Sequence, residues 1–266
     1  MNRLDTKMKP LMSMFSLKGK VAIVTGGNGG IGLGIARGLA SVGASIAIAA
    51  RNAQKTAKAA ESIRADYGAK VLGLEVDVRR ENQVESMAEK TLKAYGRIDV
   101  LVNNAGINIR KLPQDLSSAE YDEVLEVNLR SAFLCSKAVY PAMKGARGGK
   151  IINIGSMTSL FGGAKLMAYG TSKGGIVAMT RALAVAWAPD NIQVNAILPG
   201  WIDTDLTRRA RVELEGLNER VLARTPVGRW GTPNDLQGTA IFLATAASDF
   251  VTGVALPVDG GYSAVV

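Results

Sequence analysis

Short, β-branched and nearly continuous apolar runs recur along the chain: "KVAIVTGG" (20–27), "ASIAIAA" (44–50), "KVLGLEVDV" (70–78), "IDVLVNNAG" (98–106), "GKIINIGS" (149–156) and "IQVNAILPG" (192–200). A strand with one wet face alternates apolar and polar residues, so runs without alternation predict strands covered on both faces. Between them the apolar spacing becomes helical, as in "IGLGIARGLASVG" (31–43) and "ENQVESMAEKTLKAYG" (81–96). Strand alternating with helix predicts an α/β fold, a doubly wound parallel sheet with helices on both faces. A last run, "GVALPVDGG" (253–261), predicts an edge strand. No internal repeat or low-complexity linker divides the chain, so one domain is expected over 17–266, behind a flexible N-terminal extension, 1–16.

Composition narrows the chemistry. The 47% hydrophobic content of 266 residues is enough for a sizeable single core. One cysteine, Cys135, excludes an intrachain disulfide and multi-cysteine metal clusters, and the absence of histidine removes the commonest zinc and iron ligand; no metal is expected. The net charge of +9 is scattered among acidic residues, its one local cluster being "RRAR" (208–211), which argues for attraction of small anions rather than for nucleic acid. The start "MNRLDTKMKPLMSMF" is basic without the apolar core of a signal peptide, and no run reaches the length of a membrane span, so a cytoplasmic protein without a membrane partner is expected.

Directly after the first strand, "TGGNGGIG" (25–32) opens into a helix. In that context Gly26, Gly30 and Gly32 allow a tight turn and a close approach of backbone to a pyrophosphate, whose charge helix N-terminal amides favour. At the end of the second strand, where an acidic residue would grip the ribose hydroxyls of NAD, the chain has Ala50 and Arg51. Arginine suits a 2′-phosphate, which favours NADP(H) with NAD(H) still possible; the alternative is a solvated loop charge.

Without histidine, an acid or base must come from elsewhere. In "YGTSK" (169–173) Tyr169 and Lys173 lie four apart, on one helix face. Bringing a tyrosine from about 10 to roughly 7 requires about 4 kcal/mol, and a lysine about 5 Å away at an effective dielectric near 20 supplies roughly 3 kcal/mol. A second pair of the same spacing, Tyr140 and Lys144 in "YPAMK", reads as an ordinary surface pair.

The glycine motif, "DV" (77–78), "NNAG" (103–106), "VNL" around Asn128, "GS" ending at Ser156, "YGTSK" and "PGWIDT" (199–204) stand in the order and spacing of the short-chain dehydrogenase/reductase family, which the chain resembles from about Leu17 to Tyr262. The resemblance implies a Rossmann-type fold and singles out Tyr169, because Tyr140 precedes the family's serine position. It implies four catalytic roles. Tyr169 exchanges a proton with the substrate oxygen, Lys173 lowers its pKa and bonds the nicotinamide ribose, Ser156 holds the reacting oxygen, and Asn128 fixes a water that passes protons to Lys173.

The cofactor contacts so implied are Gly26, Asn28, Gly30, Ile31 and Gly32 in the turn, with Arg51, and with Asp77 and Val78 beside the adenine. Asn103, Asn104, Ala105 and Gly106 line the adenosine ribose, while Pro199, Gly200, Ile202 and Thr204 lie near the carboxamide and phosphates. Asp99 reads as structural.

After Thr204, residues 205–230 read as a helical flap over the substrate. Arg110 resembles a position of the sugar-acid members, the gluconate 5-dehydrogenases and deoxygluconate dehydrogenases, where it would meet a substrate carboxylate; a solvated arginine is the alternative. Reduction of 3-oxoacyl groups on acyl carrier protein and oxidation of glucose are other enzymatic readings, and an NADP-sensing regulator is the non-enzymatic one. Helix 174–188 carries Gly174, Ala178, Ala182 and Ala186 on one narrow face, open to a second copy or to intrachain packing; the family's habit implies a homotetramer.

Overall fold

The computed structural model describes residues 11–265. Strands β1 (Val21–Thr25), β2 (Ser45–Ala50), β3 (Val71–Glu75), β4 (Val100–Asn103), β5 (Gly149–Ile154), β6 (Ile192–Pro199) and β7 (Ala255–Val258) form one parallel sheet in the order 3-2-1-4-5-6-7. Each apolar run contributes one strand, and the last run forms the edge as expected. Helices α1 (Gly30–Ser41), α2 (Ala53–Tyr67), α3 (Glu81–Tyr95), α4 (Ser118–Leu125), α5 (Ser131–Gly145), α6 (Met167–Trp187), α7 (Asp205–Glu213), α8 (Leu217–Arg224) and α9 (Gln237–Ala244) connect or cover them.

The strands lack polar alternation because both faces are buried. In β1, Ala22 and Val24 join a core with Ile35 and Leu39 of α1, Ile63 of α2 and Leu243 of α9. Ile23 points the other way, into a core with Met87 of α3, Leu134 and Val139 of α5, and Ala184 of α6. Burying a side chain of that size contributes about 1.5–3 kcal/mol.

The chain enters the sheet at its middle, winds outward to β3, and returns to β4 on the other side of β1. The order reverses between β1 and β4, and a crevice opens there beyond the carboxyl ends of the strands. At the opposite end Asp99 clamps the two strands: its carboxylate accepts from Val21 N at 3.0 Å and from Lys20 Nζ at 3.0 Å. Burial pushes this carboxyl up, but Arg97, Lys20 and the Val21 amide hold it below its ordinary range, which makes Asp99 structural.

Residues 1–10 of the expected extension lie outside the described residues. Leu11–Phe15 form a 3-10 turn, and Leu17 is buried, its N–H donated to Val42 O at 2.8 Å. No helix among the described residues is long and apolar enough to cross a membrane.

Candidate active site

A cleft of roughly 490 Å³ runs along the carboxyl ends of the central strands, from Arg51 at the nucleotide end to Tyr169 and Lys173. Its floor is the glycine turn. Gly26 and Gly30 take left-handed φ angles of 64° and 51°, which favour glycine. A Cβ on Gly26 would stand 2.9 Å from Asn104 Nδ2, and one on Gly32 would stand 2.5 Å from Gly26 O. Gly29 begins α1 without a side-chain cap, leaving the first helical amides open to an anion. Asn28 and Ile31 line the same turn, and the Asn28 amide donates to Thr56 Oγ1 at 3.1 Å, tying the turn to α2.

Thr25, which the sequence reading did not single out, joins this turn to the strand beside it. Its hydroxyl accepts from Asn104 N at 3.0 Å and Ala105 N at 3.1 Å, while Asn104 Nδ2 donates to Thr25 O at 2.9 Å. Asn104, Ala105 and Gly106 line the cleft. Asn103 does not: it lies inside the protein at 5% exposure, and its amide donates to Asn153 Oδ1 at 2.8 Å and Ser136 Oγ at 3.0 Å. One residue along a strand reverses the side-chain direction, which sends Asn103 into the core and leaves its neighbour at the cleft.

At the nucleotide end Arg51 is exposed on the rim and Asp77 and Val78 line the wall. The fork of Arg79 grips Asp77, with Arg79 Nη2 donating at 2.6 Å, and this contact holds the carboxyl below its ordinary range. Pro199 ends β6 and Gly200 follows it, where a Cβ on Gly200 would stand 2.6 Å from Asp259 Cα. Ile202 is buried and forms an isolated bridge with Gly231, and Thr204 caps α7.

The far end of the cleft is assembled from three elements. Ser156 follows β5 and caps a short 3-10 turn, its hydroxyl accepting from Thr158 N at 3.2 Å. Tyr169 and Lys173 share one face of α6. Asn128 lies in a π-helical turn, Glu126–Arg130, between α4 and α5, a local distortion frequent at functional sites. The turn buries Asn128, whose side chain accepts from Ile107 N at 2.8 Å and donates to Ile107 O at 2.9 Å and Ser172 Oγ at 3.0 Å.

Ser172 and Ser159 were also missed. Ser172 Oγ donates to Tyr169 O at 2.7 Å, and Ser159 Oγ donates to Lys173 O at 2.7 Å, so each fixes the backbone of a residue in the motif. Ser172 stands inside the quoted "YGTSK", but only the fold shows what its hydroxyl meets.

Electrostatics depart from the simple pairing. Lys173 is 4% exposed and donates its Nζ to Ile154 O at 2.7 Å; burial lowers its pKa to about 8. Tyr169 is pushed above its ordinary value by burial, opposed by the Ser156 hydroxyl and the charge of Arg110. Arg110 is thus a cation that lowers the phenol in this state, one that the sequence reading did not set beside Tyr169. The lysine charge is directed at a carbonyl and lies 5.6 Å from the ring centroid. Arg110 is half-buried between the phenol and the flap; burial lowers its pKa while Tyr169 and Glu213 raise it.

The flap consists of α7 and α8 over a small core of Ala210, Leu217 and Val221, closed at its base by Trp201 packed edge-on to Trp230. Arg208 and Arg211 of the basic cluster both clasp Asp203. Those two arginines thus have internal partners.

Over residues 26–263 the chain matches the family described as Enoyl-(Acyl carrier protein) reductase. It is 40% identical over 255 residues to a 2-dehydro-3-deoxy-D-gluconate 5-dehydrogenase of Escherichia coli K12, covering 96% of this chain and 99% of that protein. Identity to a 3-oxoacyl-[acyl-carrier-protein] reductase of Chlamydia muridarum is 40% over 246 residues, covering 92% and 98%. The crystal structure of a gluconate 5-dehydrogenase from Burkholderia cenocepacia J2315 in complex with NADP and tartrate matches with a TM-score of 0.92 at 39% identity, covering 97% of this chain and 100% of that one.

Proposed function

The chain belongs to the short-chain dehydrogenase/reductase family, and from that premise we propose that it is an NADP(H)-preferring oxidoreductase that interconverts a secondary alcohol and a ketone on a sugar acid of the gluconate type. The observation that carries this reading is the charge of half-buried Arg110 felt at Tyr169, the phenol at the far end of a cleft whose near end is a glycine cradle. A half-buried guanidinium next to the proton donor offers a carboxylate substrate a charge partner while its carbonyl faces the phenol. The names of the relatives, two of them gluconate enzymes, support the same substrate class.

A nicotinamide dinucleotide fits the cradle, because Gly26 and Gly32 leave no room for a side chain where backbone must approach phosphate. When bound it supplies or accepts the hydride. The rest is done by the protein. Gly26, Asn28, Gly30, Ile31 and Gly32 with Asn104, Ala105 and Gly106 hold the dinucleotide, Arg51 takes the 2′-phosphate, and Asp77 and Val78 flank the adenine. Pro199, Gly200, Ile202 and Thr204 close the opposite wall.

During reduction the Tyr169 hydroxyl gives its proton to the substrate oxygen, which Ser156 holds by a hydrogen bond; during oxidation the phenolate takes it back. With a pKa near 8, Lys173 is mostly cationic at neutral pH and offsets the negative charge that appears on Tyr169. Asn128 orders the helix turn beside it and the water that relays protons to Lys173.

Reduction of a carrier-bound 3-oxoacyl group is the second reading, supported by the 3-oxoacyl-[acyl-carrier-protein] reductase relative. Nicotinamide absorbance with NADP and NAD, over sugar acids, neutral sugars and a 3-oxoacyl thioester, separates the two. Turnover of a sugar acid, lost in Tyr169→Phe and weakened in Arg110→Ala, is the expected result; turnover of the thioester alone would reassign the substrate.

The narrow face of α6 supports a homotetramer. Ala178, Ala182 and Ala186 are exposed in the single chain, and Val185 is 79% exposed, so intrachain packing does not cover this face. A monomer by light scattering would reject it.

A further inference from the structure

Among the described residues, one polar contact joins the flap helices to the nucleotide-binding half of the molecule. Lys55 Nζ, in the first turn of α2, meets Asp205 Oδ2, on the first residue of α7, at 3.5 Å. Every other side-chain hydrogen bond or ion pair of α7 and α8 among the described residues stays within 202–230, as in Thr207 Oγ1 to Ile202 O, Arg208 and Arg211 to Asp203, and Trp230 Nε1 to Asn218 Oδ1. The contact crosses the cleft mouth beside the end of β2, where Arg51 also stands.

The Lys55 side chain lies over the glycine turn. A Cβ on Gly29 would meet Lys55 Nζ at 2.8 Å, so the ammonium occupies the space into which a side chain at that position would project. Asn52 fixes the root of this arrangement by accepting from Lys55 N at 2.8 Å, which holds the first turn of α2 at the rim. Asp77, a carboxylate that feels the charge of Arg51, is already gripped by Arg79. The rim thus carries two cations four residues apart, and the acidic partner of Lys55 belongs to the flap.

Lys55 and Asp205 are 51% and 71% exposed. An ion pair in that setting is weak and exchangeable, and a dianionic phosphate is the stronger partner for an ammonium.

We propose that Lys55 is a second ligand of the 2′-phosphate and that its pair with Asp205 is a latch: phosphate capture takes Lys55 from Asp205 and releases α7. This rests on the NADP reading of the same rim and extends it to the flap. Asp205 disfavours the phosphate while latched and α7 is freed once the phosphate is bound, so dinucleotide is to bind before substrate.

The test measures NADP and NAD affinity by titration of the Trp201 and Trp230 fluorescence, and amide hydrogen exchange over Asp205–Glu213, in wild type, Lys55→Gln, Lys55→Arg and Asp205→Asn. Lys55→Gln is expected to weaken NADP about tenfold and NAD less than about twofold, with Lys55→Arg restoring most of the loss. Asp205→Asn is expected to tighten NADP about threefold. In the wild type NADP, but not NAD, speeds exchange in α7, and Asp205→Asn shows the faster exchange without NADP. Equal loss of NAD and NADP in Lys55→Gln, or slower α7 exchange on NADP binding in every variant, overturns the latch. A wild type with no preference for NADP removes the 2′-phosphate reading and the latch with it, whereas a preference that survives Lys55→Gln removes the latch alone.

Discussion

Tyr140 and Tyr169 each precede a lysine by four residues on a helix, and in both pairs the lysine nitrogen stands 5.6 Å from the ring centroid. Their surroundings separate them. Tyr140 stacks on Trp187 with centroids 4.8 Å apart, donates its hydroxyl to Asp190 Oδ2 at 2.6 Å, and accepts from Lys144 Nζ at 3.2 Å. Lys144 is 57% exposed, and Tyr140 and Asp190 raise its pKa. Lys173 is buried, bonded to a neutral carbonyl, and lowered to about 8. The same spacing yields a charge saturated by a carboxylate in one place and a charge held on the verge of loss in the other. Reactivity therefore follows from what the fold removes, which is water and counter-ions, more than from what the motif brings together.

The sharpest way to break this contrast is to delete each hydroxyl. Tyr169→Phe is expected to lower turnover about 10²–10⁴-fold, with Tyr140→Phe within about twofold in the same absorbance assay. Comparable losses in both would show that spacing alone suffices.

The lysines differ in their pH linkage. Lys173 has a folded pKa below its unfolded value, so the unfolded state holds the extra proton between pH 8 and 10.5 and folding stability rises with pH across that window. Lys173→Met is expected to abolish a gain of about 3 kcal/mol, read as the difference in urea unfolding free energy between pH 8 and pH 10.5. Lys144 has a raised pKa, so its contribution is present below about 10.5 and is lost only above it. A flat difference between wild type and Lys173→Met would disprove the burial argument.

Arg110 sharpens the contrast further, because its charge is also felt at Tyr169. Arg110→Ala removes a charge that lowers the phenol, so the rising, acid-side limb of alcohol oxidation is expected to move to higher pH. KM for a sugar acid should rise about tenfold while that for a neutral alcohol stays put; an unmoved pH profile would separate Arg110 from the phenol.

The smallest effect lies at the nucleotide rim. Arg51→Asp is expected to weaken NADP and improve NAD, each by about three- to tenfold, because a phosphate partner becomes an acceptor for ribose hydroxyls. An unchanged ratio of the two dissociation constants would mark Arg51 as a solvated loop charge.

Much of the fold was legible in advance, since strands covered on both faces must be apolar throughout. The turn at 26–32 was legible for a related reason: Gly26 and Gly32 are glycine because backbone fills the space a Cβ would take, and such crowding leaves a mark in composition. Less legible were residues whose work lies in a side chain's direction. Asn103 and Asn104 are adjacent and chemically identical, and the pleat alone sends one to the core and the other to the cleft. Thr25, Ser159 and Ser172 are small hydroxyls of the kind that cap turns everywhere, and their partners come from elements or turns that only folding brings near.

The sequence by itself determined the parallel sheet and the anion-ready turn, because these depend on periodicity and on the absence of side chains. Tertiary structure alone decided which way Asn103 points, that the charge of Arg110 is felt at the phenol, and that Lys55 meets Asp205 across the cleft. Charges act through space and dielectric, and neither is a property of distance along the chain.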